Sequence, residues 1–377
     1  MAIATKSIKF LVLFTIVFTS FTAFAGGDTP SSDKDGQINT PKGIKEYIQH
    51  HLKDSHDFSL FSYSNDAGER KHIGFPLPVI VWTSNGLKTF MSSEFHHNDD
   101  GHVLVEKGDT KLTKIHGKIY ELDAGASTVS FDGEHHATNA HKVLDFSITK
   151  SVFGILLAAL LMFLGFGSLA KGYKKGAIPT GVGRILEPLV LYVRDDIAKP
   201  NIGEKKYRKF MPYLLTVFFF IWILNLLGLT PLGFNVTGQI AVTVCLAVIT
   251  TIIYITNGSK DFWAHTLWMP GVPMLLRPIL AVLELAGFLL IKPFSLLVRL
   301  FANITAGHSV VMGIAALMIL LKAQFGTVGA TGISFVLTLF LTVIELLVAF
   351  LQAYIFTMLS ALFIGMAVEE HDHAHDH

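Results

Sequence analysis

Leu297-Val298-Arg299-Leu300-Phe301-Ala302-Asn303-Ile304-Thr305-Ala306-Gly307-His308 places an arginine at the head of a run, Leu300 to Leu321, with no Asp, Glu, Lys or Arg. A run of that length can cross a bilayer once, because a helix rises ~1.5 Å per residue and the hydrocarbon is ~30 Å thick. Holding a guanidinium at bilayer depth costs at least ~2.5–3.5 kcal/mol, and arginine cannot escape that cost by losing its proton. Arg299 therefore marks a membrane protein that uses a charge inside its membrane part, and the charge calls for a partner.

Downstream, Ile333 to Val368 reads as a second long helix whose one charged residue is Glu345. Between the two helices, Lys322 to Gly332 reads as a glycine-bearing connector with Gly326, Gly329 and Gly332. Folding the pair as an antiparallel hairpin about residues 326–327 sets His308 opposite Glu345, and Arg299 opposite Tyr354, two residues from Gln352. Ser295, Arg299 and Asn303 recur every four residues and share a helix face; Glu345 and Gln352, seven apart, share another. The hairpin then has one polar level with a histidine and an acid, and a second with an arginine and an amide. A histidine beside a carboxylate can hold and pass a proton near neutral pH. A permanent cation one level away blocks a free proton and favours the ionised form of any acid brought beside it. This chain offers no acid at that level, so a partner subunit should supply it. Taken singly, Asn303 and Gln352 could equally be polar glue between helices.

Upstream, Arg277, Glu284, Lys292 and Arg299 fall at spacings of seven or eight and line up along one stripe. An interfacial helix with a solvated edge suits Arg277 to Lys292, with a bend at Pro293. Phe210 to Ser259 has no Asp, Glu, Lys or Arg and is long enough for two spans turning at Leu229-Thr230-Pro231-Leu232-Gly233-Phe234-Asn235. Ser151 to Ala170 is another span. The basic segment Lys171 to Lys209 belongs in the cytoplasm by the positive-inside rule, which puts the residues before Ser151 outside. The expected fold is an all-α polytopic membrane protein of about five spans with amphipathic interfacial helices, preceded by a small strand-rich exported domain and ending in the cytoplasm.

Residues 1–25 read as a secretory signal: Lys6 and Lys9, an apolar core from Phe10 to Phe21, then Ala23-Phe24-Ala25 before Gly26. An uncleaved anchor of the same polarity is the alternative. Residues 26–146 read as a polar, histidine-rich periplasmic domain, disordered from Gly27 to Lys42. A short helix is expected at Ile44 to Leu52, and a hairpin from Val79-Ile80-Val81-Trp82-Thr83 through Ser84-Asn85-Gly86 to Leu87–Phe90. Strands are expected at His102 to Glu106 and Lys114 to Leu122. His96-His97, His135-His136 and the tail after residue 371 are of a type that binds zinc or nickel, but solvated disorder suits the tail better, and no metal site is assigned. A net charge of +1 gives no footing for nucleic acid, and the lone cysteine, Cys245, excludes a disulfide framework. With no phosphate-binding glycine loop, a catalytic nucleotide site and a bound cofactor are not expected.

The segment around Arg299 resembles the signature of subunit a of F-type ATP synthases. Asn225-Leu226-Leu227-Gly228-Leu229-Thr230-Pro231, Glu187 with Val193-Arg194-Asp195-Asp196-Ile197-Ala198, and Leu351-Gln352-Ala353-Tyr354-Ile355-Phe356 are similar to its other motifs, in the same order. The likeness runs from about 147 to 371. It implies a stator part of the membrane sector, in the cell inner membrane, packed against a c-subunit ring and held by the peripheral stalk subunit b. The resemblance also implies roles: Arg299 would face the ring carboxylate between two half-channels. His308 and Glu345 would line the half-channel open to the outside. Asn303 and Gln352 would flank the arginine, and Glu284 would serve the cytoplasmic half-channel. One departure is Gly228, where some members carry an acid; it leaves the outer half-channel to Glu345, His308 and polar neighbours such as Asn225. The alternative class is a secondary transporter, which would work without a ring and often carries internal repeats; none is visible here.

Overall fold

A computed structural model describes residues 54–64, 70–96, 98–123, 125–132, 137–176, 181, 183–230, 234–268, 273–274 and 276–369. The expected signal segment, the helix at Ile44 to Leu52, His97, the pair His135-His136 and the tail from Glu370 lie outside these residues. The chain divides into two compact units. One takes the chain up to Ile155 with Leu227–Asn235 and Val310–Phe340; the other takes Leu156–Leu226, Val236–Ser309 and Leu341 onward.

In the first unit, β1 (Asp57–Ser64) and β2 (Arg70–Pro76) form a hairpin. β3 (Pro78–Thr83), β4 (Gly86–Met91) and β9 (Leu144–Asp145) form a sheet in the order β4-β3-β9. β5 (Asp100–Lys107), β6 (Thr110–Ile115), β7 (Lys118–Leu122) and β8 (Ala140–Lys142) form a second sheet in sequence order. Alternate residues of both sheets point inward, and Val79, Val81, Phe90, Phe95, Val105, Leu112, Ile119 and Val143 make a buried core. The expected hairpin at 79–90 is present. The expected single strand Lys114 to Leu122 is instead two strands joined by a tight turn. His116 (φ 49°) and Gly117 (φ 78°) both adopt the left-handed conformation; the His116 N–H donates to the Asp99 carbonyl and the Gly117 N–H to the Asp99 carboxylate. Only Gly117 marks the turn among the apolar and charged residues of 114–122, and a lone glycine inside a strand pattern reads equally as a bulge.

The same unit is tied to the head of the first membrane helix, α1 (Lys150–Lys175). Asp54 caps it, its carboxylate accepting the Ser151 N–H at 3.0 Å, and the Lys150 N–H donates to the Ser55 carbonyl at 2.8 Å. Phe58 and Phe75 stack, and Phe153 meets both edge-on. His56 Nε2 lies 2.7 Å from Asp145 Oδ2. Burial alone would raise the Asp145 carboxyl, but hydrogen bonds with His56 and Ser147 outweigh it and hold it below its ordinary value of 3.8. A carboxyl depressed on folding contributes stability that is present above its unfolded value and lost only as pH falls through the lower folded one. Mild acid therefore leaves the contribution of the Asp145 carboxylate in place.

The second unit is helical. α2 (Gly183–Tyr192) passes through a π turn, Val193–Ala198, into α3 (Lys199–Ile202). The Asp195 carboxylate, on that turn, accepts two bonds from Arg194 and lies 2.8 Å from Lys199; the Arg194 guanidinium holds it well below the usual carboxylate range. α4 (Tyr207–Leu229) and α5 (Ile240–Thr256) follow, and α5 bends by 102° into α6 (Lys260–Leu267). Ser259 makes the bend, capping α6 through Phe262 N while its own N–H donates to the Ala367 carbonyl. α7 (Arg277–Ala286) runs through a π turn, Gly287–Ile291, into α8 (Lys292–Val368). Ser259 Oγ and Lys206 Nζ satisfy carbonyls of Glu369 and Val368 at the end of α8. Four described helices are long and apolar enough to cross a membrane, or five with the bent pair taken as one span.

One expectation about the last helices needs correction. The connector Lys322 to Gly332 is helical except at Gly326 (φ 68°, ψ 175°). That conformation suits a residue without Cβ, so one glycine does the work of a loop. At the expected bend, Pro293, the helix stays continuous: Arg277–Gly307 is one 31-residue stretch. The proline lacks the N–H that would bond to Leu289, and the chain absorbs this as the π turn just before it.

Gly365 lets the end of α8 approach α3, since a Cβ there would lie 1.9 Å from the Asn201 carbonyl oxygen. Neither backbone can yield cheaply. Gly365→Ala is expected to destabilise the chain by about 1–3 kcal/mol, measured as a lower Tm of the detergent-purified protein. An unchanged Tm would show that this contact relaxes freely.

Candidate functional site

Polar side chains are rare between the two arms of α8, so each one at that level needs a use. On the first arm, Leu296 and Leu300 are buried. Arg299, between them on the opposite side, is exposed, and no described residue forms an ion pair with its guanidinium. On the second arm, Gln352 is 4% exposed. Its amide nitrogen donates to the carbonyls of Arg299 and Leu300, each at 3.0 Å, and its oxygen accepts from Asn303 Nδ2 at 2.8 Å. Gln352 and Asn303 thus lock the register of the two arms at the depth of Arg299. The bonds from Gln352 go to the arginine's main chain and leave its charge uncommitted.

Two turns along, Glu345 packs against Gly307: a Cβ there would lie 2.7 Å from Glu345 Oε1. The carboxylate is half-buried. His308 is the next helical residue, so its backbone is at this level; its ring lies outside the described side chains. The structure therefore brings Arg299, Asn303 and Gln352 together at one level and places Glu345 beside residues 307–308 at the other.

The remaining charges of the stripe are engaged differently. Arg277 lies over the Trp268 ring at 4.8 Å, and Lys292 over Phe288 at 3.4 Å. Glu284 is on α7, partly exposed and away from the Arg299 and Glu345 levels in sequence. Asn225 has both ends of its amide occupied. It donates to the Ala349 carbonyl at 3.2 Å and accepts from Thr237 Oγ1 at 2.9 Å, fully buried. It braces α4 against the second arm between Glu345 and Gln352. Gly307 and Thr237 were not singled out from the sequence. Gly307 could have been, because a glycine costs about 1 kcal/mol inside a helix and calls for a reason; Thr237 carried no signal.

The arrangement can present a fixed positive charge on an exposed helix face beside a titratable carboxylate. It provides no nucleophile or nucleotide cradle, and among the described residues no group of three or more metal-ligating side chains occurs.

Residues 152–365 match the family described as ATP synthase A chain, and residues 47–146 match a domain of unknown function, DUF8433. ATP synthase subunit a 2 of Chlorobaculum tepidum is 42% identical over 261 residues, covering 66% of this chain and 72% of that one. ATP synthase subunit a of Myxococcus xanthus is 43% identical over 244 residues, covering 62% and 78%. ATP synthase subunit a 2 of Prosthecochloris aestuarii is 41% identical over 288 residues, covering 74% and 84%.

Proposed function

The chain belongs to the ATP synthase A chain family, and from that premise we propose that it forms two proton half-channels against a c-subunit ring and couples proton flow to ring rotation. It is a multi-pass, non-catalytic component of the membrane sector, serving proton transport and ATP synthesis. The observation that carries the finer reading is Arg299: a guanidinium on an exposed face of a membrane helix, with no described ion-pair partner, in register with the Gln352–Asn303 bridge. Its missing partner is a carboxylate carried past by the ring. At about 4 Å and an effective dielectric near 20, such a pair is worth about 4 kcal/mol, which drives the passing acid roughly a thousandfold toward its ionised form.

The proton then has a route in two halves. Glu345 and His308 hold and pass it on the outer side, to an ionised ring acid that has moved beyond Arg299. After rotation the acid returns to Arg299 from the other side and releases its proton toward the cytoplasm, where Glu284 lies near the exit. Arg299 prevents a proton from crossing without rotation. We place the N-terminal domain in the periplasm after removal of residues 1–25, with the C-terminus cytoplasmic and the chain in the inner membrane. The excess of Lys and Arg between Lys171 and Lys209 supports that orientation. The peripheral stalk, through subunit b, would keep the chain from turning with the ring.

Purification of the tagged chain from its membranes tests the assignment of partners. Recovery together with a c ring and subunit b is expected; a chain that transports ions without a ring would overturn it. Gly307→Val probes the outer path separately. Its side chain takes the place of the Glu345 carboxylate, and proton flux is expected to fall by about tenfold, less than the roughly 10²–10⁴-fold of an obligatory proton-transfer group because the carboxylate is displaced and not removed. Wild-type flux would mean that Glu345 works as well from elsewhere.

A further inference from the structure

The outer face of the β4-β3-β9 sheet is a contiguous apolar, exposed surface of the N-terminal domain. Three cross-strand rows compose it. Leu87, Trp82 and Leu144 are paired across the three strands. Thr89, Ile80 and Phe146 come next, with the Phe146 N–H donating to the Ile80 carbonyl at 2.8 Å. Met91, Pro78 and Ile148 follow, with the Ile148 N–H donating to the Pro78 carbonyl at 3.0 Å. None of these nine positions is charged, and Thr89 alone is polar. Trp82 is 56%, Leu87 55%, Leu144 66% and Phe146 63% exposed. An open sheet with one face on its core normally turns polar residues outward, and a contiguous apolar patch signals an interaction surface.

Continuity with the membrane identifies the occupant. The ladder beside β3 continues to Ile148, two residues before α1 begins at Lys150. Leu144, Phe146 and Ile148 alternate onto one face and lead into Val152, which is exposed on the first turn of α1. Four residues of extended chain span at most about 14 Å, so Phe146 lies within reach of the headgroup layer when α1 is in the bilayer. The Asp54 cap and the Phe58, Phe75 and Phe153 ring cluster hold this part of the domain against the start of α1. Trp, Phe and Leu on an uncharged surface at that depth are what the membrane interface favours. A protein interface core is also rich in aromatic residues and poor in charge, so it is the continuity of this face with α1, more than its composition, that points to lipid.

We propose that this face rests on the lipid surface, with Trp82, Leu144 and Phe146 in the interfacial layer of the leaflet that α1 enters. The domain then acts as a lipid-seated collar on the first span, whichever partners its other faces meet. This reading uses only the membrane-spanning character of the chain and does not depend on the proton path.

The test uses the assembled complex reconstituted in phosphatidylcholine vesicles with ordinary or shallow-brominated acyl chains. The Trp82 signal is taken as the difference between wild type and W82F, a change that keeps an aromatic ring in place. At least a twofold loss of that signal in brominated lipid, with little quenching by aqueous iodide, is expected. Quenching by iodide without quenching by bromolipid means the face is in water, and the proposal fails. Protection from both means a protein covers it, and the lipid assignment fails equally.

Discussion

Arg299→Ala is expected to abolish ATP-driven acidification of inverted membrane vesicles while leaving the chain in its complex. The loss should exceed about a hundredfold, because the charge that ionises the ring acid is worth about 4 kcal/mol and nothing replaces it. Assembly should survive for a structural reason. The bonds from Gln352 go to the main-chain carbonyls of residues 299 and 300, which alanine retains, and Leu296 and Leu300 keep the helix packed. Acidification at the wild-type rate would remove Arg299 from the path. Loss of the chain from the purified complex would make it a packing residue instead.

Glu345→Leu carries the second large effect. The carboxylate is half-buried against Gly307, and leucine fills similar space without a group that can bind a proton. A proton-transfer group contributes roughly 10²–10⁴-fold where it is obligatory, and less where water offers a bypass. The initial rate of ATP-driven acidification is therefore expected to fall by about tenfold or more. The Tm should stay close to wild type, in contrast to Gly365→Ala, where the packing itself is disturbed. A wild-type rate would take Glu345 out of the path and leave the outer half-channel to His308 and water.

The sequence disclosed the parts governed by long-range solvent preference and concealed those governed by local backbone geometry. The spans were legible because uncharged runs of that length have few alternatives, and Arg299 because a charge inside one is costly. Equal-depth reasoning across a hairpin turning at 326–327 put Arg299 near Gln352 and residue 308 near Glu345, and the turn is at Gly326. The connector was overdrawn because three glycines suggested a loop where one sufficed. Pro293 marked an irregularity in the sequence but not its form, a π turn within a continuous helix, because a proline's missing donor reads the same whether a helix breaks or widens by one residue. The bracing contacts of Asn225 were not legible because its partners, Ala349 and Thr237, are distant or unremarkable in sequence. In the N-terminal domain the turn at His116-Gly117 hid a strand boundary, and the β1-β2 hairpin went unnoticed in a polar stretch. The apolar face around Trp82 emerges only once three strands are laid side by side, since no single strand is apolar throughout.

The claim that Arg299 is a barrier between two half-paths is tested most directly by passive proton flux with the ring immobilised. Membrane sectors stripped of the catalytic head would be reconstituted with the ring covalently cross-linked to this chain, and flux measured under an imposed pH difference. The account predicts that the wild-type sector is tight when locked, and that Arg299→Ala conducts although locked. A locked wild-type sector that conducts, or an Arg299→Ala sector as tight as wild type, would contradict it.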